Sequence, residues 1–463
     1  MMGVTFREFR YFCRLLTRHA VLWTEMIVDD TIVHTDHLEY HLGYDKDVEP
    51  PIICQIGGNQ ADLAAQVTRV VTRDYGYHEI NLNAGCPSHR VASKRAFGAA
   101  LMQDVDVAIN MLREMQHGAQ EESCIVENGC KSATNKPKPL VSIKLRIGVD
   151  DQDDWEWTHQ LVAQLSTVCR RFYVHARKVH TAGLDPAQNR RIPPLHYPRV
   201  YALCRAFPEC EFWINGGIAS IAQAKEICYG ISPYHKSSNE NTNNDEENES
   251  DNGGYDNIYT GLVPPGHGPL PCTTCRDTYG SCVTAPTIAP PNLRGCLVGR
   301  AVMDNPMHFA TLDTEFFGSK RNPSQNRRQV LQTYAHYLTE LYPRRCGDCP
   351  NHTIVTIRPP GIVPIKQYYC SLCNQGSEER PVSNSTSEMP QLLHRHIVGR
   401  ALKPVQGTFT GCPGMAKPWR RLLQEAMNDH LHRNCGPGFL LERAMQQFEH
   451  GSDKATAILD QPF

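Results

Sequence analysis

The sequence predicts an α/β fold, a (β/α)8 TIM barrel followed by a small all-helical C-terminal domain. Two observations carry this expectation. Short apolar, β-rich runs alternate with longer amphipathic stretches, the pattern of parallel strands joined by crossover helices. Six of those runs also lead into polar or reactive residues: Gln55-Ile-Gly-Gly, Asn83-Ala-Gly-Cys86, Lys144-Leu-Arg146, His175-Ala-Arg177, Asn215-Gly-Gly217 and Gly299-Arg300. Chemistry at the C-terminal ends of successive strands marks the catalytic face of a barrel. A doubly wound sheet would gather its ligand groups at one switch point instead.

Taken in order, strands are expected at 21–28, 52–55, 79–83, 140–146, 172–175, 211–215 and 295–298. That makes seven, one short of a closed eight-stranded barrel. Helices are expected between them at 61–73, 104–115, 155–168 and 198–205. The barrel domain is read as 1–318, interrupted by an insertion at 232–293. Its 236–257 stretch is polar, acidic and nearly free of apolar side chains, so it cannot offset its ordering entropy and should be disordered. A helical domain is expected over 319–450, with helices near 328–341 and 419–426 and a Cys-rich insertion at 346–390. A tail, 451–463, completes the chain.

Of the 463 residues, 40% are hydrophobic and 21% charged, consistent with a soluble globular protein. Lys and Arg total 47 against 49 Asp and Glu, a formal charge of -2, which excludes a globally basic coat for nucleic acid. A local basic patch is still compatible with it. No run approaches the roughly eighteen apolar residues that cross a bilayer. The 19 Cys are an odd number spread over a long chain, which reads as reduced thiols with some metal sites rather than a disulfide scaffold.

The glycines of Asn215-Gly216-Gly217 and Gly299-Arg300 would close the last two strands, where barrels bind phosphate through backbone N–H groups. Arg300 adds a charged donor. A single Gly-Gly pair would read as a tight turn; two in the expected strands favour phosphate. Lys144, His175 and Gln55 end earlier strands and could hydrogen-bond a flat heterocycle whose phosphate lies at the glycines. That geometry suits FMN. A lone His or Gln is more often a satisfied structural group, so the constellation carries the reading. Cys86 lies just beyond a strand in a Gly/Pro turn that would aim its thiol into the barrel mouth, where it could give or take a proton. Spacing alone leaves that level with a small buried hydrophobe.

Several longer runs are similar to the tRNA-dihydrouridine synthase family. They are Glu79-Ile-Asn-Leu-Asn83-Ala-Gly-Cys86-Pro-Ser88, Lys144-Leu-Arg-Ile-Gly148, His175-Ala-Arg-Lys178, Asn189-Arg190-Arg-Ile-Pro-Pro-Leu195, Tyr197-Pro-Arg-Val200 and Ile214-Asn-Gly-Gly-Ile218. The chain resembles the A-type bacterial subgroup, which acts on the D-loop, over 1–230, 294–345 and about 391–430. The resemblance implies an enzyme that reduces the C5–C6 bond of a D-loop uridine, at position 20 or 20a. Hydride would pass from FMN N5 to C6, a proton from Cys86 to C5, and NADPH would re-reduce the flavin. It also implies that Gln55, Lys144, His175, Asn215, Gly216, Gly217, Gly299 and Arg300 hold FMN. Asn83, Arg190, Lys417 and Arg420 match positions that touch tRNA, whereas Ala187 stands where the subgroup usually has Lys. A monomer is implied, cytoplasmic or organellar.

Two features depart from the family pattern. Met1-Met2-Gly3 aligns with the end of an Ala-Pro-Met turn that lies against the flavin, so Met1 and Met2 are expected cofactor contacts and the first barrel strand is expected to be absent. An incomplete gene model is the plain explanation; a degenerate protein without catalysis is the sharper one. Second, Cys346-Gly-Asp-Cys349 and Cys370-Ser-Leu-Cys373 have zinc-ribbon spacing, four thiolates for a tetrahedral metal, set against coincidence in a Cys-rich chain. Two rival functions stay open: an FMN-barrel oxidoreductase acting on a small molecule, and a non-catalytic tRNA-binding homologue.

Overall fold

The computed structural model describes residues 1–87, 97–120, 138–229, 289–342, 397–428 and 436–463. The acidic stretch at 236–257 and the four cysteines read as a zinc ribbon lie outside the described residues.

Seven strands form one sheet in strictly sequential order: β1 (Leu22–Val28), β2 (Ile52–Gly57), β3 (Glu79–Asn83), β4 (Leu140–Arg146), β5 (Arg171–His175), β6 (Glu211–Asn215) and β7 (Leu293–Leu297). The pairs from β2 to β7 are parallel. Sequential parallel order with helical crossovers is the arrangement of the predicted barrel. The predicted strand positions hold, with small shifts at the ends. Between strands lie α2 (Ala61–Arg69), α3 (Val105–Gln120), α4 (Trp155–Leu165), α5 (Tyr197–Ala206) and α6 (Ile221–Tyr229), after an N-terminal α1 (Arg7–Arg14). The Asp154 side chain caps α4 by accepting from Trp157 N at 2.7 Å. The predicted 61–73 helix changes character at its end, passing into a π turn at Val70–Asp74.

The sheet has two chemically different faces because its strands alternate with period two. One face carries Cys54, Ile56, Ile80, Leu82, Ile143, Leu145, Phe172, Val174, Phe212 and Ile214, each 0% exposed. The register puts the polar set together on the other face: Gln55 beside Asn81, Asn83 beside Lys144, Lys144 beside Tyr173, and Arg146 beside His175 beside Asn215. Buried polar groups persist only when partnered, and the lower part of this face is a bonded chain. Gln55 Nε2 donates to Asn81 Oδ1 (2.9 Å), Asn81 Nδ2 to Ser142 Oγ (2.9 Å), and Ser142 Oγ to Glu79 Oε1 (2.7 Å). Glu79 also accepts from Tyr173 OH at 2.8 Å and pairs with Arg171 at 2.6 Å. Removing Arg171 would leave the Glu79 carboxylate with neutral donors only, Ser142 and Tyr173, and should destabilise the sheet.

Contacts group the chain into two units, Trp23–Asp36 with Ile52–Gly299, and Met1–Leu22 with His37–Pro51 and Arg300–Phe463. The second unit contains α7 (Arg300–Asp304), α8 (Arg327–Leu341), α9 (Ala416–Asn428), α10 (Pro437–His450) and α11 (Asp453–Asp460). The last of these occupies most of the segment read as a tail; Ser452 caps it and Leu459 is fully buried. Phe409, Trp419 and Phe448 meet ring to ring at 4.5–5.4 Å, and Trp419 Nε1 donates to Val405 O at 2.7 Å. α1 belongs to this unit, where Glu8 pairs with Arg400 at 2.7 Å and Arg10 with Glu49 at 2.7 Å. Among the described residues, no helix is long and apolar enough to cross a membrane.

Candidate active site

The polar face of the sheet ends in a cluster built from β2, β3, β4, β5 and β6. Asn83, the last residue of β3, organises the turn that follows it. Its Oδ1 accepts from Gly85 N (3.1 Å) and Cys86 N (3.0 Å), while its Nδ2 donates to Gln55 Oε1 (3.0 Å). An Asn side chain that caps its own turn in this way is a local, sequence-encoded device. Ala84 N donates to Lys144 O at 2.8 Å, extending β3–β4 pairing into the turn. On the far side, Ala99 N donates to Cys86 O at 3.0 Å. Gly98, at φ +69, is obligatory there, since a Cβ would lie 2.7 Å from that same carbonyl oxygen. The Cys86 turn is thus held at both ends with its residue partly exposed.

Lys144 projects from β4 beside Asn83. Burial pushes its ammonium down to about 8, helped by the nearby Arg146 charge and opposed by Cys86. Among the described residues no carboxylate pairs with it, and Cys86 is the group whose charge would favour it. His175 is buried at the end of β5 and packs against the glycine turn after β6. There Gly216 has φ +119 and Gly217 has φ +72. A Cβ on Gly216 would lie 2.7 Å from the His175 ring, and one on Gly217 would lie 2.5 Å from Leu195 Cδ1. Only glycine fits a backbone so conformed and so closely approached. Tyr197 OH donates to Gly216 O, and Asn215 Nδ2 donates to Leu297 O at 2.9 Å, tying β6 to β7.

Gln55, Asn83, Cys86, Lys144, His175, Asn215, Gly216 and Gly217 are therefore brought to one end of one sheet. Gly299 follows β7, and exposed Arg300 begins α7 in the other unit. Arg190 is exposed on the β5–α5 loop. Lys417 and Arg420 are exposed on α9, where Arg420 Nε donates to Gln406 O at 3.2 Å and Nη2 to Thr410 Oγ1 at 3.3 Å. Met1 and Met2 precede α1 and are exposed. Among the described residues, no cluster of three or more His, Cys, Asp or Glu could hold a metal.

Sequence reasoning gave no role to Asn81, Arg146, Leu195 or Tyr197. Asn81 had a usable signal, since the alternation of Glu79-Ile-Asn-Leu-Asn83 puts it on the face of Asn83. Arg146 had a weaker one, two residues beyond Lys144. The roles of Leu195 and Tyr197 come from long-range packing on the glycine turn.

A parallel β/α sheet with a thiol, a lysine and a glycine turn converging at its strand ends defines a barrel-type fold with its polar groups gathered at one end. The family model "Dihydrouridine synthase (Dus)" matches residues 1–231. A Synechocystis protein named tRNA-dihydrouridine(20/20a) synthase is 41% identical over 227 residues, 49% of this chain and 61% of that protein. The protein of that name from Escherichia coli K12 is 39% identical over 229 residues, 49% of this chain and 59% of the relative. One from Vibrio vulnificus is 31% identical over 345 residues, 73% of this chain and 78% of the relative. The chain belongs to the dihydrouridine synthase family. The Synechocystis match spans less than two thirds of that relative's length.

Proposed function

We propose that the chain is a flavin-dependent tRNA-dihydrouridine synthase that reduces the C5–C6 bond of a D-loop uridine, position 20 or 20a, with NADPH as the reductant. The observation that carries this reading is the juxtaposition of Cys86 with Lys144 at the ends of adjacent strands, on the face that also bears Gln55, His175 and the Gly216–Gly217 turn.

The residues present fit FMN. Lys144 is a sheltered cation with no carboxylate partner among the described residues, suited to a polarised oxygen or an anion. The Gly216–Gly217 turn is a cradle that any Cβ would fill, of the kind that meets a phosphate through backbone N–H groups. Gln55, Lys144 and His175 would hold the ring, with Asn215, Gly216, Gly217, Gly299 and Arg300 toward the phosphate. Bound FMN would supply the hydride that adds to uracil C6. Cys86 Sγ gives a proton to C5, and the turn fixed by Asn83 sets where that thiol stands. Lys144 and Arg146 stabilise the thiolate left behind. The target base must leave its stack, which costs a few kcal/mol and is easier in a loop. Arg190, Lys417 and Arg420 would contact tRNA, chiefly at phosphates.

The test is a visible absorption spectrum of the purified chain, followed by NADPH-dependent reduction of unmodified tRNA. A flavin spectrum, with turnover that Cys86→Ala lowers at least a hundredfold, is the expected result. A folded protein that takes up no FMN when it is supplied would sink the reading.

A further inference from the structure

We propose that Arg146 is the positioning residue of this site: it locks the Cys86 turn and the Arg190 loop into one geometry and holds a positive charge against the thiol. The proposal rests on the reading of Cys86 as proton donor and adds to it the device that places it.

Arg146 ends β4 and is 4% exposed. Its Nε donates to Gly85 O at 3.1 Å, the residue before Cys86. Its Nη1 donates to Lys178 O and Asn189 O, each at 3.0 Å, at the two ends of the segment between β5 and Arg190. One guanidinium thus joins three backbone carbonyls from two loops that share no strand. The Arg190 loop is further closed by Asn189, whose Nδ2 donates to His180 O (2.9 Å) and whose Oδ1 accepts from His180 N (2.8 Å). Arg177 closes its other end by donating to Pro193 O.

A neutral donor could serve carbonyls alone, and burying a guanidinium among other cations is costly. Burial lowers the Arg146 guanidinium to about 10, Cys86 is the group that favours its charge, and Arg177 and Arg190 oppose it. Among the described residues, Arg146 and Lys144 are the cations whose charge Cys86 favours. The charge is therefore retained where a thiolate would gain from it. The same contacts make the Cys86 turn dependent on the loop that presents Arg190, so displacing that loop would move the thiol.

The test compares wild type, Arg146→Met and Arg146→Lys as full-length chains. Iodoacetamide labelling of Cys86 is followed against pH by peptide mass spectrometry, and trypsin nicking after Arg190 or Arg191 is followed in the native protein. Arg146→Met should shift the Cys86 labelling midpoint upward and slow labelling severalfold at pH 7, with faster nicking. Arg146→Lys keeps the charge but not the three-carbonyl span, so its midpoint should stay while nicking rises. Should Arg146→Met fail to fold, Arg146→Lys alone decides through its nicking rate. Wild-type nicking in Arg146→Lys, or a wild-type labelling profile in folded Arg146→Met, overturns the proposal. Neither readout needs tRNA or flavin, so failure here is distinct from failure of the reductase reading.

Discussion

Lys144 illustrates how a residue proposed to hold a ligand can oppose stability. Its folded-state ammonium titrates at about 8, below an unfolded lysine near 10.4. Between those values the unfolded chain binds more protons than the folded one, so stability rises with pH through this window; below about 8 the full penalty is present. The flavin-free protein should therefore gain roughly 1–3 kcal/mol between pH 8 and 10.5, measured by urea unfolding across that range. Lys144→Met should flatten that rise and raise the melting temperature at pH 7, while abolishing FMN retention in the visible spectrum. A variant that loses both stability and flavin would show that Lys144 has a structural acceptor.

Two turns, at the ends of β3 and β6, do most of the organising at the scale of elements. The β3 turn is capped by Asn83, which holds two backbone N–H groups and Gln55 together. Asn83→Ala should cost about 1–3 kcal/mol, since those groups lose their acceptor, and should broaden the rates at which Cys86 is alkylated. The β6 turn depends on two glycines at positive φ, pressed against His175 and Leu195. Gly217→Ala is expected to cost about 1–3 kcal/mol through backbone strain and to weaken FMN binding at least tenfold by titration. These strand ends were legible in the sequence because an Asn-Ala-Gly-Cys or Asn-Gly-Gly run is a local statement about turn geometry. The partners Tyr197 and Leu195 were not, because nothing local says which loop will close over a glycine.

For the molecule as a whole, a formal charge of -2 means that any grip on tRNA comes from placed cations rather than from bulk attraction. Lys417→Ala with Arg420→Ala should weaken tRNA binding and lower the slope of log affinity against log salt by roughly 0.7 for each phosphate that is no longer neutralised. Filter binding at several salt concentrations would measure both. An unchanged slope would remove α9 from the tRNA surface. The unit that carries α9 has its own aromatic core, and Trp419→Ala should destabilise it by about 3–5 kcal/mol, seen as an earlier unfolding transition. That unit also takes in Met1–Leu22, which the expected 1–318 barrel counted with the strands.

The sequence by itself determined the seven strands, their order of appearance and the chemistry at their ends. Period-two alternation and turn-forming glycines are short-range properties, written in neighbouring residues. The roles proposed for Cys86, Lys144 and His175 rest on the family motifs. Only the tertiary structure decided that Arg146 spans three carbonyls of two loops, that Tyr197 braces Gly216, and that α1 groups with helices some 300 residues away. Each of these is a contact between distant segments. A side chain's donors do not encode which distant carbonyl they will meet; the packing of the parallel sheet and its loops fixes that choice.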